Sequence, residues 1–192
     1  IPTPETYKGN VSSIGPRSCY DESKRMGEAM VMAFHQVHQV PVKAVRPFNV
    51  FGPGMSSTDY RVIPTFLSQG LSGKPILVHD KGNQTRTFCY VTDAIAGFLK
   101  VLLRGRNGEV YNIGNDQDEI NMLGLAEMIV KSVFDGRAEA VLAAYPDTYP
   151  QDEPRRRCPD LRKAKTEVGY VPQVDLKTGL KRAYLWFQGQ EM

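Results

Sequence analysis

The chain has 17 glycines but no G-x-G-x-x-G or G-x-x-G-x-x-G turn between a strand and a helix. Such a turn lets backbone amides at a helix N-terminus cradle a pyrophosphate. Its absence excludes a self-contained dinucleotide site within these 192 residues. Cysteine is also scarce. Cys19, Cys89 and Cys158 are far apart, odd in number and outside metal-ligand spacing. That excludes a disulfide framework and points to reduced thiols in a cytoplasmic protein. No apolar run reaches the ~18 residues of a membrane-spanning helix, so no span is expected. No basic segment followed by an apolar one opens the chain, so no signal peptide is expected. The first residue is Ile1 rather than Met, which suggests a trimmed or cut chain. The net charge of +3 is too small to argue for nucleic acid. Arg155-Arg156-Arg157 is the one arginine cluster, and no aromatic residues interleave with it as a single-strand binder would require. His35 and His38 stand three apart with no carboxylate or cysteine to complete a metal site, and His79 is remote, so no metal is expected.

What remains is the composition of a globular protein, 41% hydrophobic and 23% charged. The length fits one domain or most of one. Residues 1–17 read as a loop approaching a site. Apolar residues at Met26, Ala29, Met30, Ala33, Phe34 and Val37 recur at three and four, which predicts a helix over about 20–39. The Met26–Met30 stripe fits core packing or a dimer contact. Pro41 breaks the helix, and strands are expected at 42–46, 75–79, 87–91, 109–113 and 138–143. Helices are expected at 61–69, 94–103, 123–134, 160–168 and 176–188, with Thr92 and Asp93 capping the second of these. Alternating strands and helices argue an α/β fold.

Tyr20 and Lys24 carry the chemistry. On a helix, residues four apart lie one above the other, so an ammonium would stand beside a phenol. A free phenol ionises only near pH ~10, and a neighbouring cation favours the phenolate. A tyrosine tuned in this way can take a proton from a sugar or steroid hydroxyl while hydride leaves the same carbon. The spacing is equally that of an ordinary exposed helical turn.

The segment Gly15-Pro16-Arg17-Ser18-Cys19-Tyr20-Asp21-Glu22-Ser23-Lys24-Arg25 resembles the active-site stretch of UDP-glucuronate decarboxylases. These belong to the extended short-chain dehydrogenase/reductase, or NAD-dependent epimerase/dehydratase, superfamily. Further segments agree in order. Arg46 to Pro53 resembles R-x-F-N-x-x-G-P, and Gln84 to Asp93 resembles Q-T-R-x-F-x-Y-V-x-D. Tyr111 to Asn115 is similar to the N-I/L-G-N strand end. Asp152 to Asp160 resembles D-D-P-x-x-R-x-P-D, with Lys163 and Ala164 in the helix beyond. The departures are the missing glycine-rich half, the missing S/T-x-E segment upstream of the tyrosine, and Gly54 where the family carries arginine.

The resemblance implies the carboxyl-terminal part of a Rossmann-type parallel sheet plus a smaller α/β substrate domain. Residues 1–52 would be the remainder of the dinucleotide-binding domain. Residues 53–192 would be mainly the nucleotide-sugar-binding domain, with some segments returning to the sheet. It implies NAD as cofactor and UDP-glucuronate or a similar nucleotide sugar as substrate. Tyr20 and Lys24 would be catalytic and would also touch the cofactor, as would Val50 and Arg61. Asn49, Arg86, Tyr90 and Arg157 would bind the substrate. Each has a plainer reading: a turn asparagine, a solvated arginine at 61, an ion pair of Arg86 with Asp93, a half-buried strand tyrosine. Arg155 and Arg156 read as surface charge. A homodimer through the 20–38 helix is implied. The reaction would be decarboxylation through a 4-keto sugar. The alternatives are a 4,6-dehydratase, a 4-epimerase, or a non-catalytic nucleotide-sugar-binding or partner-dependent subunit. A half-sheet with exposed edges should be marginally stable or self-associating.

Overall fold

A computed structural model describes residues 1–146 and 154–189. The expected Asp152 and Glu153 of the D-D-P segment lie outside the described residues.

Helix α1 spans Ser18–His38. It stops where Gln39 enters the left-handed region at φ 54, its N–H returning to the His35 carbonyl, with Pro41 just beyond. Strand β1 (Lys43–Pro47) follows, then β2 (Val50–Phe51) and helix α2 (Val62–Leu71). Pro64 falls in the first turn of α2, where a missing N–H costs nothing. Next come β3 (Ile76–His79), β4 (Thr85–Arg86), β5 (Cys89–Tyr90) and helix α3 (Val91–Arg104). Strand β6 (Glu109–Ile113), β7 (Ile120–Asn121), α4 (Met122–Ser132) and β8 (Ala140–Ala143) precede β9 (Arg156–Arg157), α5 (Arg162–Val168) and α6 (Leu176–Gln188).

The longer pairings are parallel, as expected when helices join successive strands. β1 pairs with β6, Lys43 opposite Glu109 through Pro47 opposite Ile113. β3 pairs with β8 and β2 with β5, both parallel. β4 runs between β7, antiparallel, and β9, parallel. The fold is α/β.

Two expectations are corrected here. A single strand over 87–91 is replaced by β4 and β5, which belong to different sheets. The chain hands over at Thr87, whose N–H donates to the Arg157 carbonyl, and Cys89, whose N–H donates to the Asn49 carbonyl. Thr92 and Asp93 do not cap the next helix, which already starts at Val91 without a side-chain cap. Asp93 is instead buried in its first turn, and its Oδ2 accepts the N–H groups of Gln173 and Val174 at 2.9 Å each. A buried carboxylate there satisfies two backbone donors of the loop before α6 and complements the helix dipole.

The buried side chains form two cores. One joins Phe51, Phe66, Leu67, Ile76, Leu125, Ile129, Leu180 and Phe187 from β2, α2, β3, α4 and α6. The other joins Cys89, Val101, Tyr111, Ile113, Leu161 and Tyr170 around α3, β6 and α5. Outside both, every residue of α1 is at least partly exposed. Met26, Met30, Phe34 and Val37 run along it in contact with solvent, as do Ile95, Leu99, Leu102 and Leu103 on α3. No helix among the described residues is long and apolar enough to cross a membrane.

Candidate active site

Tyr20 and Lys24 lie near the start of α1, one turn apart as the spacing predicts. The Lys24 ammonium is 5.5 Å from the Tyr20 ring centroid. The Arg17 guanidinium approaches the same ring at 5.6 Å, while its Nε stands 3.7 Å from Asp21. A ring with a cation within ~6 Å of its centroid experiences an attractive field, and here two cations share one ring. Tyr20 itself remains open to solvent and to ligand.

The loop between β2 and α2 is brought to Tyr20. Ser56, Thr58, Asp59, Tyr60 and Arg61 enclose with it an open cleft of about 440 Å³. Gly52 begins the loop at φ 143, where a Cβ would strike the Val91 side chain at 2.7 Å. The loop is pinned from within. Thr58 N–H donates to Ser56 Oγ at 3.2 Å, Ser68 Oγ donates to the Ser57 carbonyl at 2.9 Å, and Thr65 Oγ1 donates to the Asp59 carbonyl at 3.3 Å. Arg61 is forked onto Asp59 through Nε and Nη2, and its backbone N–H reaches Asp59 Oδ1 at 2.9 Å. Hydrogen bonding from Arg61 holds the Asp59 carboxyl below the usual carboxylate range, and the same contact raises the guanidinium.

Asn49 sits just before β2 at φ 44, a left-handed conformation asparagine tolerates. Its Nδ2 donates to the Thr87 carbonyl at 2.7 Å, tying the loop to the segment after Arg86. That commits one amide N–H that the sequence reading assigned to a substrate oxygen. Val50 pairs with Cys89 and packs against the α3–β6 core.

Arg86 and Arg157 are register partners on β4 and β9. Paired residues on neighbouring strands face the same side of a sheet, so the two arginines stand together. Arg86 is buried, and its Nη1 donates to the carbonyls of Thr85 and Arg155 at 2.8 and 3.2 Å. Arg156 faces the other side, where Nε and Nη2 donate to Glu119 at 2.7 and 2.8 Å. Arg156 first, and Thr85 Oγ1 second, hold the Glu119 carboxyl down at about 2.

Tyr90 is corrected. The sequence suggested a place in the substrate cleft, but its ring is 5% exposed and belongs to the larger core. It meets Phe51 edge-on at 5.7 Å and fills the space left by Gly52 and Gly179, with Arg182 at 5.7 Å from its ring. The histidines have local partners. His35 Nδ1 lies 2.8 Å from the Val40 carbonyl, and its ring occupies the space beside Gly108. His79 stacks on Tyr145 at 5.6 Å. Among the described residues no group of three His, Cys, Asp or Glu converges on one point.

The sequence reading missed Arg17, Ser56, Thr58, Asp59 and Tyr60. Arg17 was findable, since it stands three residues before Tyr20 on the same turn. The others reach Tyr20 only through the fold of the loop, and local sequence carries no signal for that.

Comparison with known proteins places the chain in a family. Residues 2–114 match the model of the NAD dependent epimerase/dehydratase family. UDP-glucuronic acid decarboxylase 3 of Arabidopsis thaliana is 41% identical over 179 residues, covering 93% of this chain and 50% of its own length. UDP-glucuronic acid decarboxylase 1 of Xenopus tropicalis is 39% identical over 187 residues, covering 97% of this chain and 43% of its own. The chain thus spans about half the length of the curated relatives it matches. Among solved structures, the UDP-glucuronic acid 4-epimerase of Bacillus cereus, in complex with UDP-glucuronic acid and NAD, superposes with a TM-score of 0.80. It is 28% identical, and the match covers 96% of this chain and 58% of that one. The UDP-glucose 4-epimerase of Thermotoga maritima, with UDP-glucose, gives a TM-score of 0.87 at 25% identity, covering 100% of this chain and 59% of the other. The α/β fold is therefore the Rossmann-type fold that the motifs implied, and the chain belongs to the NAD dependent epimerase/dehydratase family.

Proposed function

We propose that this chain is the sugar-handling part of an NAD-dependent UDP-glucuronate decarboxylase. The observation that carries the reading is Tyr20, flanked by the Lys24 and Arg17 cations, at an open cleft in a chain about 40% identical to such decarboxylases. Residues 1–52 would contribute to the dinucleotide side and 53–192 mainly to the nucleotide-sugar side, with some segments returning to the sheet, as β6 does where it pairs with β1.

The residues present fit the nicotinamide-ribose end of NAD. The Tyr20 phenol lines the cleft with the Lys24 ammonium one turn along α1, both suited to hydroxyl groups; Arg61 lines the same cleft, and Val50 lies on β2, which leads into that loop. The glycine-rich phosphate turn is not in these 192 residues. NAD, when bound, supplies hydride acceptance and hydride return.

The chain's own groups do the rest. Tyr20 takes the proton of the sugar C4 hydroxyl as that carbon is oxidised. Lys24 and Arg17 are the cations beside the Tyr20 ring, 5.5 and 5.6 Å from the centroid. The resulting 4-keto sugar is a β-keto acid, so its C5–carboxylate bond breaks to release CO2, and the electron pair passes to an enolate. Protonation at C5 and reduction at C4 then give UDP-xylose, with Tyr20 returning its proton. Arg86 and Arg157 are suited to the diphosphate, because guanidinium forks pair bidentately with phosphate oxygens. Asn49 retains amide capacity toward a sugar oxygen beyond its bond to Thr87. A second copy would pack on the apolar stripe of α1, giving a homodimer.

CO2 release from UDP-glucuronate, measured with NAD on the natural gene product that carries this chain, tests the reading. UDP-xylose that disappears in Tyr20→Phe supports it. A 4-epimer or a 4-keto-6-deoxy product would assign the protein to another branch of the family. Binding of UDP-glucuronate without any turnover would favour a non-catalytic subunit.

A further inference from the structure

We propose that Tyr60 is a substrate-positioning residue whose ring packs against the C–H face of the sugar on which Tyr20 acts; this rests on the nucleotide-sugar reading above. Tyr60 is 93% exposed, yet it lines the same cleft as Tyr20. Leaving a large aromatic ring in water forgoes the burial that normally holds it. The backbone on both sides is nevertheless tied down. Asp59 accepts from Thr65 Oγ1 and from the Arg61 backbone and guanidinium, and Arg61 opens α2 as its N-terminal flanking residue. The ring is thus projected by a held loop.

The rest of the lining indicates what it meets. Asp59 and Arg61 neutralise one another, so this wall carries little net charge. The other lining groups are the hydroxyls of Ser56 and Thr58 and the phenol of Tyr20. Hydroxyl donors and acceptors around one exposed aromatic face suit the hydroxyl-bearing part of a sugar ring: its hydroxyls find polar partners while its C–H face covers the aromatic carbons. The cation of this wall is paired, so the glucuronate carboxylate would lie away from it.

The test is steady-state kinetics on the natural gene product, with UDP-glucuronate and NAD varied separately, for the unsubstituted protein, Tyr60→Phe and Tyr60→Ala. Equilibrium titration of UDP-glucuronate accompanies it. Tyr60→Ala should raise the KM and Kd for UDP-glucuronate about five- to tenfold, the effect of one lost aromatic contact. The KM for NAD should stay put, and Tyr60→Phe should remain within about twofold because the ring rather than the hydroxyl does the packing. An unchanged KM and Kd in Tyr60→Ala would overturn the proposal. A rise confined to the KM for NAD would also overturn it and assign the ring to the cofactor. Absence of turnover in the unsubstituted protein would overturn the proposed activity instead, and the titration would still decide the place of Tyr60.

Discussion

Lys24 Nζ stands 5.5 Å from the centroid of the Tyr20 ring, one turn further along α1. The pair needs nothing from the rest of the protein to form. The cleft in front of it needs a loop forty residues away.

The first prediction concerns that pair. Tyr20→Phe should lower turnover of the natural gene product about 10²–10⁴-fold, the usual worth of a positioned acid–base group. Because Tyr20 is exposed, circular dichroism and the thermal midpoint should not change. Lys24→Met should also lower kcat, and Arg17→Met should do so less if the two cations share the work. Full activity in Tyr20→Phe would remove Tyr20 from the chemistry.

The arginine strand makes a sharper contrast. Arg157→Ala should raise the KM for UDP-glucuronate, while Arg156→Ala should leave it unchanged, because Arg156 faces Glu119 on the opposite side. Equal effects of the two substitutions would dismiss the two-sided reading of β9.

Glu119 gives a pH dependence. Its carboxyl is held at about 2, below its unfolded value near ~4.3. A depressed folded pKa contributes stability above the unfolded value, and that contribution is lost as pH falls toward 2. Urea midpoints between pH 5 and pH 2 should therefore fall less steeply in Glu119→Gln than in the parent protein. Parallel curves would show that the Arg156–Glu119 pair is idle, as exposed pairs often are.

Thiol accessibility tests the cores. Cys19 is exposed, whereas Cys89 and Cys158 are buried. Burial pushes the Cys89 thiol up to about 11 and raises that of Cys158 as well. A thiol reagent at pH 8 should label one cysteine in the folded protein and all three after denaturation. Prompt labelling of Cys89 would contradict the packing around Tyr170.

The uncovered stripe predicts association. Met30 and Phe34 on α1 are each 53% exposed. The 192-residue chain should sediment as a concentration-dependent oligomer, and Phe34→Glu should shift it toward monomer with unchanged helicity. A monomer at all concentrations, with a sharp melt above ~65 °C, would speak against a face that requires a partner.

Inside the protein, Gly97 of α3 is a tight helix contact to test. A Cβ there would stand 2.7 Å from Ile113 and 2.9 Å from Tyr170. Gly97→Ala should destabilise by about 1–3 kcal/mol, measured by chemical denaturation, because overpacking outweighs its better helix propensity.

Much of this was legible before folding. The helix from Ser18 to His38 announced itself through a three-and-four apolar rhythm and a proline stop, and Gly169, left-handed at φ 67, closes the helix expected over 160–168. Tyr20 with Lys24, and the ordered motifs around them, belong to the same class of signal: each is contained in a few consecutive residues. Other features depended on elements far apart in sequence. Residues 87–91 read as one strand because their composition is strand-like, but the strands formed here are 85–86 and 89–90, which serve two sheets, since β9 claims one and β2 the other. Asp93 looked like a cap and became a buried acceptor because the loop before α6 needed one. Tyr90 could have faced a cleft or a core, and Gly52 and Gly179 made room for it in the core. Local sequence alone determined which segments are helical, the stop of α1 before Pro41 and the Tyr20–Lys24 pair, because those energies act within one or two turns. Which side chains share the cleft, from Ser56 to Arg61, was decided only by tertiary structure, because long-range packing chooses the path of a loop.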